Sequence, residues 1–178
     1  MTYIAEPLTR KQLRQLAFQI RQLIGFENKP RFPVIVFLEN IMPMIFPGFY
    51  YEIATESELG ASKHGDTDVA NKCIRIREDV YIGALEGNGR DRMTVAHEIA
   101  HYILLVVCGI KFARTFAGYS VPTYQDPEWQ AKALSGELMC AAHLIVKMSP
   151  QSIVDECGVS DEAAVYQLKK ARGGAIVC

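Results

Sequence analysis

Two histidines and a glutamate within one apolar stretch are the residues best suited to do chemistry. His97, Glu98 and His101 form the pattern H-E-x-x-H inside residues 92–105. In a helix of 3.6 residues per turn, side chains four positions apart lie on one face, so the two imidazoles can converge on a single metal ion. Glu98 is rotated by about 100° from His97, where it can act on a water molecule instead of binding the same ion.

Zinc suits this set of donors. Two imidazoles and one carboxylate bind Zn²⁺ tetrahedrally, leave a fourth position open for water, and bring the pKa of that water to about 7. The pattern can also arise by chance, with both histidines in the core or on the surface. Residues 95–107 are apolar or small except for the motif residues and Tyr102, which indicates a buried helix. Buried imidazoles and carboxylates need partners or an ion, so the context favours a metal site.

A third ligand has to come from another part of the chain. Asp126 and Pro127 are typical of a helix start, as the cap and the first helical residue. Glu128, 27 positions after His101 (128 minus 101), lies in the first turn of that helix, from where its carboxylate could reach the metal. An acidic residue there also stabilises the helix dipole without any metal. Asp126 and Glu137 are rival ligands, although Asp126 is explained as the cap and Glu137 lies two turns deeper.

Two blocks of the sequence resemble the ImmA/IrrE family of zinc metallopeptidases. Residues 92–104 are similar to the family block R-x-F-T-x-A-H-E-x-G-H-x-x-L, with Met93 in place of the aromatic residue and Ala100 in place of glycine. Residues 128–141 are similar to the block E-x-x-A-x-x-F-A-x-x-L-L-M-P, with Leu134-Ser135 and Cys140-Ala141 at the positions of Phe-Ala and Met-Pro. None of these departures falls on a ligand.

The resemblance implies a function and a set of residues to perform it. It implies that His97, His101 and Glu128 bind Zn²⁺ in a gluzincin-like set and that Glu98 is the general base. It also implies an intracellular endopeptidase that cleaves or inactivates a helix-turn-helix repressor in mobile-element or stress regulation. The alternative is a non-hydrolytic, metal-stabilised anti-repressor that binds and sequesters that partner.

The resemblance also implies an α+β fold in which helices pack around a small, mostly antiparallel three-stranded sheet, with a zincin-like active-site helix. A length of 178 residues and a net charge of -1 fit one domain over residues 1–178 and give no overall electrostatic case for nucleic acid. The five cysteines have no framework spacing, which favours reduced thiols. No signal peptide and no apolar run of about 20 residues is visible, so we expect a cytoplasmic protein without membrane contact.

The elements that must position the motif follow from periodicity and turn residues. We expect a helix over 8–24, capped by Thr9 and ended by Gly25, with its basic residues on a solvated face. Residues 33–45 fit a helix or a strand, and the helix is favoured. Strands are predicted over 49–54 and 73–77, a turn of helix and a loop over 55–72, and a helix over 78–85. The central helix should begin near Asp91 or Thr94, and the helix that starts at Asp126 could extend to Met148.

Three further expectations concern the surroundings of the site. The resemblance to metalloproteases implies that the strand over 73–77 could hydrogen-bond an extended substrate by β-addition. Residues 149–172 resemble a helix-turn-helix unit, but Asp161 and Glu162 at the start of its second helix argue against direct DNA binding. The group that stabilises the oxyanion is left open among residues of suitable chemistry: His64, Arg90, Tyr119, Tyr124 and His143.

Overall fold

The fold is α+β, as predicted, in a computed structural model that describes residues 4–109 and 121–173. The α-helices in these ranges are α1 (Arg10–Leu23), α2 (Val34–Val36), α3 (Met42–Ile45), α4 (Glu56–Leu59), α5 (Glu78–Leu85), α6 (Gly89–Ile103), α7 (Pro127–Met139), α8 (Ala142–Ile145), α9 (Pro150–Ile153) and α10 (Asp161–Gly173). The strands are β1 (Tyr50–Ala54), β2 (Gly65–Asp68) and β3 (Cys73–Arg77). Turns of π-helix span Phe37–Ile41, Leu104–Cys108 and Val154–Gly158, and a 3₁₀ turn spans Thr123–Gln125.

The three strands form one mixed sheet in the order β1-β3-β2. β1 runs parallel to β3, and β2 runs antiparallel to it. The alternation in β3 follows its sequence, because Ile74 and Ile76 are fully buried while the side chains of Arg75 and Arg77 lie on the opposite face. The predicted strands at 49–54 and 73–77 are therefore confirmed.

β2 corrects the expectation of a loop over 55–72. The segment Gly-Asp-Thr-Asp contains no apolar residue, so the alternation that identifies a strand is absent from it. It is a strand because its backbone pairs with β3 and because Asp66 binds the guanidinium of Arg75 on the neighbouring strand at 2.8 and 2.5 Å. These contacts are with a second segment of the chain, which a local pattern cannot reveal.

The position of β3 also overturns the proposed site of β-addition. β3 is hydrogen-bonded to β1 on one side and to β2 on the other, so residues 73–77 have no free edge for a substrate. Within the described residues, the outer edges of the sheet belong to β1 and β2. Since α6 packs against β2, the edge nearest the H-E-x-x-H motif is that of β2.

The N-terminal helices span nearly the ranges that the sequence predicts. Thr9 and Gln12 form a capping box at the start of α1, and Gly25 follows its end with a φ of 71°. Residues 34–45 are helical, which confirms the favoured alternative, and the π turn ends two residues before Pro43. Because proline cannot donate a backbone hydrogen bond, it interrupts the regular hydrogen bonding of a helix. A π turn is one of the distortions found at such interruptions.

Lys11 of α1 is exposed as expected, but the three arginines of this helix do not form the solvated face that we predicted. Arg10 and Arg14 bind the buried carboxylate of Glu137 on α7 at 3.0 and 3.1 Å. Arg21 is fully buried and donates hydrogen bonds to the carbonyl oxygens of Leu138 and Lys29. The prediction was wrong because the partners of these guanidiniums lie on other segments.

Helices α6 and α7 lie side by side at the centre of the fold, and α1 packs on the other side of α7. Ala96, Ala100 and Ala131 are fully buried, and such small side chains let helix backbones approach closely. α6 begins at Gly89 with Asn88 as its cap, two residues earlier than the earlier of the two predicted starts. α7 ends at Met139, well before the predicted limit at Met148.

The C-terminal segment has the predicted helix, turn and helix. α9 and its π turn end at Gly158, which has a φ of 67°, and α10 begins at Asp161 with two acidic residues in its first turn. The segment belongs to the same core, because Ile153, Cys157, Ala164 and Leu168 are buried in it.

Among residues 4–109 and 121–173, no helix combines the length and apolar character needed to cross a membrane.

Candidate metal centre

The two histidines and the glutamate predicted as ligands converge in space. The Nε2 atom of His97 lies 3.1 Å from the Nε2 atom of His101, and these atoms lie 3.3 and 3.2 Å from the two carboxylate oxygens of Glu128. Ligand atoms of all three residues lie within 4.8 Å of one another. The structure therefore brings together donor atoms from α6 and α7 that are 27 residues apart in sequence.

Local structure explains why each side chain reaches this point. The histidines are one turn apart on α6, with ring centroids 4.5 Å from each other and nearly perpendicular planes. Glu128 is the second residue of α7, whose start is fixed by Pro127 and by the side chain of Asp126, which accepts a hydrogen bond from the backbone nitrogen of Glu128 at 3.0 Å. From this first turn the carboxylate extends past the helix end to the imidazoles.

The charge state of His97 favours a cation between the three groups. Burial, with a further contribution from the neighbouring His101, lowers the pKa of His97 to about 4, so its ring is uncharged at neutral pH. An Nε2 atom either carries one hydrogen or accepts one. With both Nε2 atoms protonated, the two rings repel each other; with one or none protonated, at least one lone pair faces a carboxylate oxygen.

When the carboxylate of Glu128 carries no hydrogen, no arrangement of hydrogens on the two imidazoles therefore satisfies all three short contacts. A single metal ion does, because it accepts lone pairs from all three residues at once. Neutral imidazole and carboxylate are the donors that zinc prefers when one position is kept open for chemistry. The donor set thus fits the ion that the sequence predicts.

Glu98 lies beside the three ligands in a protected environment. Its side chain is 9% exposed, and burial raises the pKa of its carboxyl group above the ordinary value, although the hydrogen bond from Thr67 opposes the shift. The hydroxyl of Thr67 on β2 donates to Oε2 of Glu98 at 2.8 Å. The backbone of Gly65 approaches the same side chain so closely that a Cβ atom on this residue would lie 3.0 Å from Cγ of Glu98.

An open cleft of about 340 Å³ contains these groups. One wall is α6 and the other is β2, with Glu128 at the rim. The described residues that line it are Gly65, Asp66, Thr67, His97, Glu98, His101, Leu105 and Glu128. An extended peptide segment can enter such an open cleft, whereas a closed cavity would admit only small molecules.

The rival ligands lie elsewhere or have another role. Asp126 caps α7, as predicted. Glu137 is bound by two arginines of α1. Of the candidates for the oxyanion group, Tyr119 falls outside the described residues, and the other four are not among the described residues that line the cleft. His143 packs edge-on against Phe18 and contacts the carbonyl oxygen of Glu27, which is a structural role.

Two functional features escaped the sequence reasoning. Thr67 and Gly65 were assigned to a polar loop, yet they lie on a strand that faces Glu98. A possible signal is the glycine between polar residues shortly before a clear strand, since glycine permits close approach of another group. Arg92, the first residue of the motif block, is buried and donates to the carbonyl oxygens of Gly158 and Phe32, which ties α6 to neighbouring segments.

Comparison with known proteins gives no match that bears on the function of this site. The chain matches no protein-family model, and no curated protein is significantly similar to it in sequence. The functional conclusion therefore depends on the residues and their geometry.

Proposed function

We propose that this chain is a zinc-dependent endopeptidase in which His97, His101 and Glu128 hold the ion and Glu98 is the general base. The observation that carries the proposal is the set of three short contacts among two imidazoles, of which that of His97 is uncharged, and one carboxylate. A cation satisfies these contacts, whereas hydrogens on the imidazoles do not. Zinc held there would polarise a carbonyl and make water acidic enough to lose a proton near neutral pH.

The chain's own residues account for the remaining steps of peptide hydrolysis. Glu98 lies next to the ligands, and in this role it takes a proton from the attacking water and transfers it to the leaving amine. Burial of the carboxylate beside β2 keeps it directed at the cleft.

The outer edge of β2, with which no strand pairs among residues 4–109 and 121–173, supplies a way to bind an extended substrate. The backbone nitrogen of Arg77 donates to the carbonyl oxygen of His64 at 3.0 Å, which marks these two residues as a hydrogen-bonded pair. Because such pairs alternate in an antiparallel ladder, the backbone groups of Gly65 and Thr67 face away from β3. Both residues line the cleft, so a peptide added to this edge would pass the ligands.

The proposed substrate is a helix-turn-helix transcriptional repressor, and the proposed location is the cytoplasm. The substrate follows from the resemblance to the ImmA/IrrE family in the two sequence blocks, and the location follows from the five cysteines, whose lack of framework spacing favours a reducing compartment. An extended segment of such a repressor would present main-chain amides to β2, and a peptide bond opposite the ligands would be cleaved. Direct binding of nucleic acid is not part of the proposal, because α10 opens with acidic residues.

Glu98→Gln tests the enzymatic proposal. The zinc-loaded protein is incubated with a panel of helix-turn-helix repressors and with a peptide mixture made from a proteome, and new termini are identified by mass spectrometry. We expect the wild type to cut at defined bonds and the variant to retain zinc while its rate falls by about 10² to 10⁴. A zinc-loaded wild type that produces no new termini would overturn the peptidase assignment.

The same variant separates hydrolysis from sequestration. If the protein were a non-hydrolytic anti-repressor, Glu98→Gln would relieve repression of a reporter gene as well as the wild type does. If the wild type is a peptidase, the Glu98→Gln variant would bind the repressor without cleaving it. Relief of repression by the variant would then require stoichiometric amounts of protein. Titration of the reporter against protein concentration distinguishes the two.

A further inference from the structure

Strand β2 contacts the proposed base through a single side-chain hydroxyl. We propose that Thr67 is the positioning residue for Glu98, and that β2 thereby aligns the base and the substrate from one strand. This inference rests on the proposed function, since it assigns a role within the same site. It concerns the hydrogen bond between Thr67 Oγ1 and Glu98 Oε2 at 2.8 Å.

The contact is specific among the described residues. Thr67 is the one residue in these ranges whose side chain donates a hydrogen bond to the Glu98 carboxylate, and its hydroxyl also lies 3.2 Å from the carbonyl oxygen of Glu98. Gly65, two positions earlier on the same face of β2, lies close to the same side chain, because a Cβ atom there would lie 3.0 Å from Cγ of Glu98. The side chain of Glu98 therefore accepts a hydrogen bond from one residue of β2 and lies close to the bare backbone of another.

The strand that supplies the hydroxyl is itself fixed. On the opposite face, Asp66 binds Arg75 of β3 through two hydrogen bonds of 2.8 and 2.5 Å. A glutamate side chain has three rotatable bonds, and a base that can leave its position spends less time within reach of the attacking water. A hydrogen bond from a paired strand selects one of its orientations, as outer residues do for catalytic groups in general.

The same residue also faces the proposed substrate. The backbone groups of Thr67 point to the outer edge of β2, while its side chain points to Glu98. A peptide paired with this edge would therefore be placed relative to the base by one residue. Because the two contacts use different atoms, a change to the side chain can weaken catalysis and leave substrate binding intact.

Thr67→Val removes the hydroxyl and keeps the shape of the side chain. We expect kcat to fall by about 10- to 100-fold, the range for loss of an outer partner of a catalytic group. KM should stay within about twofold, because the backbone edge is unchanged, and the zinc content should remain that of the wild type. Thr67→Ser restores the hydroxyl, so we expect it to recover most of kcat.

Thr94→Val is the matched control. It removes a threonine hydroxyl from α6 that donates its hydrogen bond to the carbonyl oxygen of Arg90 and not to Glu98. Its kcat, KM and zinc content should equal those of the wild type. If Thr67→Val were as active as Thr94→Val, the positioning role would be refuted while the peptidase assignment stood.

A crystallographic readout keeps the inference testable without any activity. Crystals of the wild type, Thr67→Val and Thr67→Ser should show the Glu98 carboxylate in one orientation for the wild type and the serine variant, and displaced in the valine variant. An unchanged carboxylate in the valine variant would overturn the proposal, even if the wild type cut no peptide. If the valine variant failed to fold, Thr67→Ala would replace it, with Thr67→Ser again as the rescue.

Discussion

Two glutamates of helix α7 have opposite environments although they are nine residues apart (137 minus 128). Glu137 is 2% exposed, and two permanent cations of α1, Arg10 and Arg14, bind its carboxylate. Glu128 is 63% exposed and faces two imidazoles, of which His97 is uncharged at neutral pH. The charge of Glu137 is therefore compensated by arginines of the protein, whereas the carboxylate of Glu128 has imidazole nitrogens as its neighbours.

The contrast separates a structural acid from a proposed metal ligand. A buried charge without a partner is strongly destabilising, so the fold supplies partners to Glu137 on a neighbouring helix. Glu128 avoids most of that cost through exposure and can therefore persist without a protein cation. A carboxylate that a fold leaves uncompensated beside imidazoles is available to a metal ion, whereas one that is already paired stabilises helix packing.

Replacement of Glu128 should produce the largest effect on metal binding. Glu128→Ala removes one of three ligands, so we expect zinc affinity to fall by more than about 100-fold, beyond the loss typical of outer partners. Isothermal titration with zinc measures the change. The metal-free variant should unfold with nearly the free energy of the wild type, within about 0.5 kcal/mol, because the side chain is exposed. An unchanged zinc affinity would remove Glu128 from the centre.

Zinc itself should stabilise the wild type. A ligand that binds only the folded protein adds about 2.7 kcal/mol at a free concentration of 100 times Kd. Urea denaturation with and without zinc measures this increment. Glu128→Ala at the same zinc concentration should gain much less, and Glu137→Ala should gain as much as the wild type. Equal gains in all three proteins would mean that the metal binds at another place.

Replacement of Glu137 should affect stability and spare the metal. Glu137→Ala leaves Arg10 and Arg14 without their carboxylate, and we expect a loss of about 1.5 to 3 kcal/mol, the range for hydrogen bonds to charged groups. The midpoint of urea denaturation of the metal-free protein reports the loss. Glu86→Ala, which removes an exposed glutamate, is the control and should change stability by less than about 0.5 kcal/mol.

The helix caps should give the smallest effects and refine the comparison. Asp126→Ala and Thr9→Ala each remove a cap, at a cost of about 1 kcal/mol. Because Asp126 fixes the backbone at Glu128, its loss should also weaken zinc binding, whereas the loss of Thr9 at the start of α1 should not. Thermal denaturation and zinc titration of both variants test this difference. Equal zinc affinities would show that the cap does not position the ligand.

The sequence predicted the parts of the fold whose signals are local. The H-E-x-x-H spacing, the Asp126-Pro127 start and the alternation at 73–77 are statements about neighbours along the chain, and each has its expected structure. The ligand positions follow from the first two, although the expectation that Glu128 is the third ligand also drew on the resemblance. All three predicted ligands lie together.

Features that depend on distant segments were missed. β2 has no apolar residue, and it is a strand because of β3, so its four residues give no sign of Thr67 beside Glu98. The arginines of α1 fit a solvated face until Glu137 of α7 is brought against them. In both cases the residue that is contacted lies on another element of the fold. The periodicity of the segment itself gives no information about that residue.

The division of the three ligands between α6 and α7 has a practical consequence. If the protein were expressed as two fragments, divided between Gly109 and Val121, one fragment would contain both histidines and the other would contain Glu128. Neither half would carry a full set of donors. Tight binding of zinc would then require that the two fragments associate. Zinc binding could therefore be used to measure their association.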